Sequence, residues 1–261
     1  MMFKLALMLL AAAVSHPAFA FDTSKYRLID LSHTYNEKTL YWPTTKTGFE
    51  RKSLHHGRAE GGYFYSSGSF CTAEHGGTHM DAPVHFARRG MAAHRIPLRN
   101  LIAPGVVIDV SKKAAADRNY RLTAEDVLEF ERKHGKIKPG TIVIMKTGWE
   151  RYWPDAKKYF GDDTPGDASN LSFPSYGESA ARLLVEKRRV SVIGVDTASL
   201  DYGPSKDFIV HRIAGARNVA GLENLKSLDK LPPKGFTVIA LPMKIEGGSG
   251  GPARVVAVVP K

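Results

Sequence analysis

Cysteine is almost absent. Cys71 is the only one in 261 residues, so no intrachain disulfide can staple the fold. It sits in the strand-like stretch Phe70-Cys71-Thr72-Ala73 and reads as a buried, inert thiol rather than a nucleophile. Internal repeats and long low-complexity segments are missing too. Beyond the N-terminus no run is apolar enough to cross a bilayer. Formal charge is +11, yet Lys and Arg are scattered, with only short pairs such as Arg88-Arg89 and Arg188-Arg189. A nucleic-acid groove needs a basic stripe with interleaved aromatics, and none is present. The expectation is a solvated basic surface that favours anionic small molecules and engages neither nucleic acid nor membrane.

Two further patterns are incomplete. Asp162-Asp163 lacks the regular oxygen-ligand spacing of a calcium loop, so these read as solvated turn carboxylates. Glu246-Gly-Gly-Ser-Gly-Gly-Pro252 lacks a Walker lysine, and no clear helix follows it. It reads as a tight turn between the last two strands, with close backbone packing against a substrate as the alternative.

What is present begins with a leader. Lys4 precedes an unbroken apolar run from Leu5 to Val14, and Ala18-Phe19-Ala20 places small residues where a signal peptidase reads. Residues 1–20 are therefore expected to be a signal peptide cleaved after Ala20, and 21–261 the mature domain. Removing Lys4 takes the charge from +11 to +10. In a bacterium the destination is the periplasm or the medium. A buried N-terminal helix or a tether is the weaker reading.

Short β-branched runs predict strands at Val106 to Val110, Thr141 to Met145, Val190 to Asp196, Phe236 to Leu241 and Arg254 to Val259. Thr123-Ala-Glu-Asp126 opens a helix that runs to about His134, where Gly135 stops it. Ser175-Tyr-Gly-Glu178 opens a second, to about Arg189, with Ala180, Leu183 and Leu184 on one face. Each helix precedes a strand, so the centre is βαβ-like, while 26–70 is richer in turns and strands. The reading is one mixed α/β domain. The long polar stretch Trp153 to Pro174 reads as a lid, a binding loop or a disordered segment.

The chemistry concentrates in His75-Gly-Gly-Thr-His79-Met-Asp81-Ala-Pro-Val-His85-Phe86. Three of ten histidines fall within eleven residues, with a carboxylate among them. Imidazole and carboxylate suit zinc, manganese and iron. The glycines and Pro83 exclude a continuous helix and fold the run around one point. Residues 79, 81 and 85 share parity, which in extended backbone turns them to one side. So many polar groups cannot be desolvated together without a compensating partner. Downstream lie Asp196-Thr-Ala-Ser-Leu-Asp201, then His211, then Glu223. Asp196 fits two roles equally, a carboxylate orienting a metal-bound imidazole or a cap at a strand end.

The motif resembles the signature of the metal-dependent cyclase family, which includes bacterial kynurenine formamidases and isatin hydrolases. The Asp196-Thr197 strand end and the His211 to Glu223 spacing extend the resemblance over most of the mature chain. It implies His75, His79, Asp81, His211 and Glu223 as metal ligands and His85 as the catalytic histidine. It also implies a compact mixed α/β domain with a β-barrel-like core, of the swivelling β/β/α type, assembled as homodimers or larger homo-oligomers. The cofactor expected is Mn²⁺ or Zn²⁺, one ion or two, with Asp81 able to bridge.

The function expected is hydrolysis of a small aryl amide or lactam C–N bond by metal-activated water, isatin hydrolase-like. Arylformamidase activity on N-formylkynurenine is the alternative. Export and the long 153–174 loop weigh against it. A non-catalytic periplasmic metal- or ligand-binding protein is a second alternative. Tyr41, Trp42, Tyr63, Phe64 and Tyr65 are candidates to stack on an aryl ring, none of them singled out by the sequence.

Overall fold

The computed structural model describes residues 22–261; the expected signal peptide lies outside the described residues. The strands, in chain order, are β1 (Tyr26–Asp30), β2 (Glu50–Arg58), β3 (Phe64–Cys71), β4 (His79–Asp81), β5 (Ile102–Asp109) and β6 (Arg121–Leu122). They continue with β7 (Ile142–Lys146), β8 (Ser175–Tyr176), β9 (Val192–Val195), β10 (Ala220–Glu223), β11 (Lys234–Pro242) and β12 (Gly250–Pro260).

The main sheet runs β1-β12-β11-β5-β7-β9-β10-β4, and β4 also pairs with β12. That second pairing closes seven strands into a barrel, with β1 added outside along β12. Closure removes the sheet edges that would otherwise stay open. The β5, β7 and β9 strands are parallel, as is the β9–β10 pair, and helices make the crossovers. This is the mixed α/β domain with a barrel core that the resemblance implies.

Alternation explains why the central runs are apolar throughout. On β7, Ile142 and Ile144 join the cluster inside the barrel with Met80, Leu222, Val238 and Val255. Val143 and Met145 face the other way, against Val127, Phe130, Leu184 and Ile213 from the helices. Both faces of these strands are buried, so both parities must be apolar.

All five predicted strands form, with ends shifted by up to four residues. Helix Ala124–His134 starts at the expected cap: Thr123 Oγ1 accepts from Asp126 N, Asp126 reaches back to Thr123 N, and Gly135 follows at φ 86°.

The second predicted helix starts late. Ser175 and Tyr176 form the buried strand β8 against β6, and the helix is Glu178–Arg182, continuing as a wider π turn over Leu183–Arg188. Pairing with β6 holds Ser175 and Tyr176 extended, and the Ser175 hydroxyl is turned to the Tyr176 carbonyl, so Ser175 caps nothing here.

The 153–174 stretch is built rather than open. It holds helix Ala156–Phe160, and Tyr159, Phe160, Leu171 and Phe173 pack with Trp149 and Ala198 into a third apolar cluster. Asp162 accepts from Thr164 N and Oγ1, the turn carboxylate expected.

Cys71 is exposed, against expectation. It ends a β2–β3 hairpin whose strands pair only with each other, so the hairpin's alternation has no core to face. Among the described residues no helix is long and apolar enough to cross a membrane.

The three-residue β4 strand ties core to site, because Met80 points into the barrel with no exposed surface. Met80→Ala should lower the unfolding free energy by about 2–5 kcal/mol, the usual cost of a buried cavity. Urea denaturation of wild type and variant measures it; an unchanged midpoint would mean β4 is not anchored by this side chain.

Candidate metal centre

Three elements deliver the polar side chains. On β4, His79 and Asp81 project from the face opposite Met80. Its closing partner β10 is antiparallel and sets Glu223 across from His79. Helix Ile209–Ala216 supplies His211 from its first turn. The approach to β4 needs glycine at 77. Gly77 sits at φ +57°, and a Cβ there would lie 2.6 Å from the Tyr35 ring. After β4, Pro83 opens a 3₁₀ turn, Pro83–His85, that swings His85 over His75. Their rings stack at 3.8 Å and 17°. His85 therefore arrives by a turn, and not by the shared parity of one strand.

The ligand atoms converge on Asp81. Its Oδ1 lies 2.6 Å from His75 Nδ1 and 3.2 Å from His79 Nε2, and its Oδ2 lies 3.2 Å from His211 Nε2. Glu223 reaches His211 Nε2 at 3.2 Å and His79 Nε2 at 3.5 Å. Two groups form, His75/His79/Asp81 and Asp81/His211/Glu223, each with ligand atoms within 4.8 Å of one another. Asp81 belongs to both and turns a different oxygen to each.

His75, His79 and His211 each have the outer nitrogen tied. His211 Nδ1 lies 2.7 Å from Asp201 Oδ2, whose carboxylate also accepts the Val210 and His211 N–H groups that open the helix. His79 Nδ1 donates to the Gly77 carbonyl at 3.0 Å. His75 Nε2 lies 2.9 Å from Ser249 Oγ, which in turn donates to Glu74 Oε2. Ties of this kind fix the tautomer and aim the other nitrogen.

Sequence reading missed Asp201, Ser249 and Glu74 in these roles, because each acts through a fold contact. The glycine-rich turn is the tight turn expected, but its neighbour is His75: a Cβ on Gly250 would stand 2.6 Å from His75 Cε1. Asp196 resolves as the cap. It accepts from Thr147 N, Thr147 Oγ1 and Trp149 N, and touches no imidazole.

Electrostatics show that the cluster calls for positive charge. Burial works against protonated His79, yet Asp81 and Glu223 carry it from 6.5 up to about 9. Burial likewise opposes charge on His211, and Asp201, Asp81 and Glu223 hold it well above its ordinary value. Burial would raise Asp81, but the three imidazoles hold it well below the usual carboxylate range. Burial and the Asp81 charge push Glu223 up. Among the described residues no lysine or arginine lines the cavity. Converging nitrogens and carboxylate oxygens need protons or a cation between them, and the His/carboxylate donor set fits a divalent metal.

His85 differs from the other three. Neither of its ring nitrogens is hydrogen-bonded to a described protein group. Its outer edge is open, but burial of its inner face and the neighbouring imidazoles lower it to about 4. It lines a cavity of about 270 Å³ above the cluster. Tyr41, Trp42, Phe86, Phe160 and Phe208 form the aromatic walls. Of the aromatics considered from sequence, Tyr41 and Trp42 reach the cavity. Tyr63, Phe64 and Tyr65 stand exposed on the hairpin.

Comparison with known proteins agrees with this geometry. A family described as "Putative cyclase" matches residues 29–202. An isatin hydrolase of Roseibium aggregatum is 36% identical over 208 residues, 77% of each chain. A kynurenine formamidase of Salinibacter ruber is 29% identical over 229 residues, 88% of this chain and 96% of its own. The structure of isatin hydrolase A from Ralstonia solanacearum superposes with TM-score 0.83 at 31% identity, covering 90% of this chain and 93% of that one.

Asp81→Ala and His79→Ala should each abolish stable binding of a divalent ion. Elemental analysis after gel filtration reads this directly; full occupancy in either variant would contradict the ligand set.

Proposed function

Because this chain belongs to the putative cyclase family of metal-dependent hydrolases, we propose that it opens the ring C–N bond of a small, uncharged aryl lactam of the isatin type. The observation that carries the choice is the cavity lining. Its walls are aromatic, and its only ionisable groups besides tyrosine are the clustered histidines and carboxylates. A flat neutral bicycle can bury both faces against such walls. N-formylkynurenine carries an ammonium and a carboxylate on a flexible arm. No lysine, arginine or free acid lines the cavity to receive them, and a charge buried without a partner is costly. The basic outer surface does not extend into the pocket.

His75, His79 and Asp81 would hold one ion, and Asp81, His211 and Glu223 a second. Two facing oxygens on Asp81 favour the two-ion reading, and the donor set suits Mn²⁺ and Zn²⁺ alike. Bound there, a divalent metal would polarise the carbonyl and lower the pKa of water toward about 7.

The rest is done by the chain. Tyr41, Trp42 and Phe208 hold the aryl ring and exclude water from its faces. His85, free at both nitrogens and unprotonated at neutral pH, accepts a proton from the attacking water. It then passes the proton to the departing ring nitrogen. Carbon–oxygen bond formation and carbon–nitrogen cleavage leave a carboxylate and an arylamine. A purely metal-carrying role gives no use for a histidine held in this way.

The mature protein is further inferred to be periplasmic and a homodimer or larger homo-oligomer. The leader over residues 1–20 supports export. The hairpin supports assembly with a second copy. Two strands alone are marginal in water, yet this hairpin exposes Leu54, Tyr63, Phe64, Tyr65 and Phe70. Protein recovered from the periplasm should begin at Phe21 and scatter light as a dimer or larger. An intact N-terminus, or a monomer at micromolar concentration, would remove the corresponding inference.

Activity decides the substrate. The metal-loaded enzyme should show a kcat/KM for isatin far above that for N-formylkynurenine; the reverse order would make it a formamidase. His85→Ala should retain metal and lose ~10²–10⁴ of the rate. Near-full activity in that variant would overturn the proton-transfer role.

A further inference from the structure

We propose that Asn224 is a positioning residue for the His79 imidazole, acting through the Gly77 carbonyl. The inference rests on the metal-centre reading but concerns a residue outside the ligand set.

Asn224 follows Glu223 directly, where β10 ends. It is almost fully buried and sits at φ +55°, a conformation that asparagine tolerates better than most residues. All four of its polar groups are engaged, by three segments of the chain: 77–78, 159 and 197. Its N–H donates to the Thr197 carbonyl at 2.9 Å, and its own carbonyl accepts from Thr78 Oγ1 at 2.7 Å. Its carboxamide nitrogen donates to the Gly77 carbonyl at 2.7 Å. Its carboxamide oxygen accepts from Tyr159 Oη at 2.9 Å, and the same hydroxyl lies 3.1 Å from the Asp196 carbonyl.

This arrangement fixes which way the amide faces. A carbonyl oxygen can only accept, so the nitrogen must face Gly77 and the oxygen must face the Tyr159 hydroxyl. The Gly77 carbonyl thus takes two donors, Asn224 Nδ2 and His79 Nδ1. The Tyr35 hydroxyl also bonds the Gly76 and Thr78 carbonyls on either side, at 2.6 and 2.8 Å, which further restrains this peptide. The Gly77 oxygen is pinned where it demands an N–H from His79 Nδ1. Nε2 is then the nitrogen presented to Asp81 and Glu223. His211 has a carboxylate for this task. His79 has a backbone carbonyl that is itself held by a side chain.

Asn224→Gly removes the carboxamide and keeps the left-handed backbone at no steric cost. It should fold, and circular dichroism establishes that. The apo protein is then titrated with Zn²⁺ against a chromogenic chelator, and the d–d bands of the Co²⁺-loaded form are recorded. Zinc affinity should fall about tenfold or more, as when groups that orient ligands are lost. The cobalt bands should shift, which a merely structural loss would not produce. Tyr159→Phe, which frees the carboxamide oxygen, should move both readouts in the same direction and less. It serves as the measurement if the glycine variant does not fold. Affinity and bands matching wild type in the folded variants would overturn the role of Asn224 and leave the metal centre standing. A wild-type protein that takes up neither ion would overturn both.

Discussion

Two carboxylates, Asp81 and Glu223, share a space nearly closed to water, and the rest of the structure is arranged around that fact. Anions so placed would repel each other and lose hydration unless positive charge lay between them. The protein brings three imidazoles, each with its far nitrogen tied to Ser249, the Gly77 carbonyl or Asp201. Fixing the outer nitrogens turns the inner ones toward the carboxylates at 2.6–3.5 Å. The cluster is thus pre-set for a cation, and little side-chain freedom remains to be lost when one binds.

That arrangement also explains why the barrel closes where it does. The β4 strand has only three residues, yet it pairs with β10 on one side and β12 on the other. Its central Met80 fills the core while its two ends face the metal centre. Sheet pairing and assembly of the site are therefore linked: without the β4–β10 pair, His79 and Asp81 would be separated from Glu223. The cost is tight backbone approach. Gly221 lies 3.0 Å from Asp81 Oδ2 at the position a Cβ would take, and Gly250 lies closer still to His75. The glycines that looked like turn punctuation in the sequence are clearance for ligands.

How much of this was legible follows from range along the chain. The 75–85 motif could be read because its chemistry is packed into eleven residues. The strands could be read because burial on both faces forces continuous apolar runs. Asp201, Ser249 and Asn224 could not, since their partners are set by the fold: Ser249 is 174 residues from His75, and Asn224 is 147 from Gly77. The helix predicted from Ser175 began late because tertiary pairing with Arg121 and Leu122 holds Ser175 and Tyr176 in a strand. Cys71 looked buried because it lies in a strand-like stretch, and strand character holds whether or not a core lies beneath it. Helix Ala156–Phe160 is too short to give a period against its polar surroundings.

The cavity's two-sided character bears on turnover as well as selection. On the proposed reading, a neutral lactam is matched to the aromatic walls, and only its carbonyl needs to reach the polar floor. Ring opening changes that match. The product carries a new carboxylate and a freed amine. The walls of Trp42, Phe86, Phe160 and Phe208 offer no charge to balance them. The only positive centre available is the one on the floor. The carboxylate is therefore held there alone, in a cavity that no longer suits the rest of the molecule, while the basic outer surface and solvent receive it readily. On that reading, walls that favour the uncharged substrate over the charged product promote release.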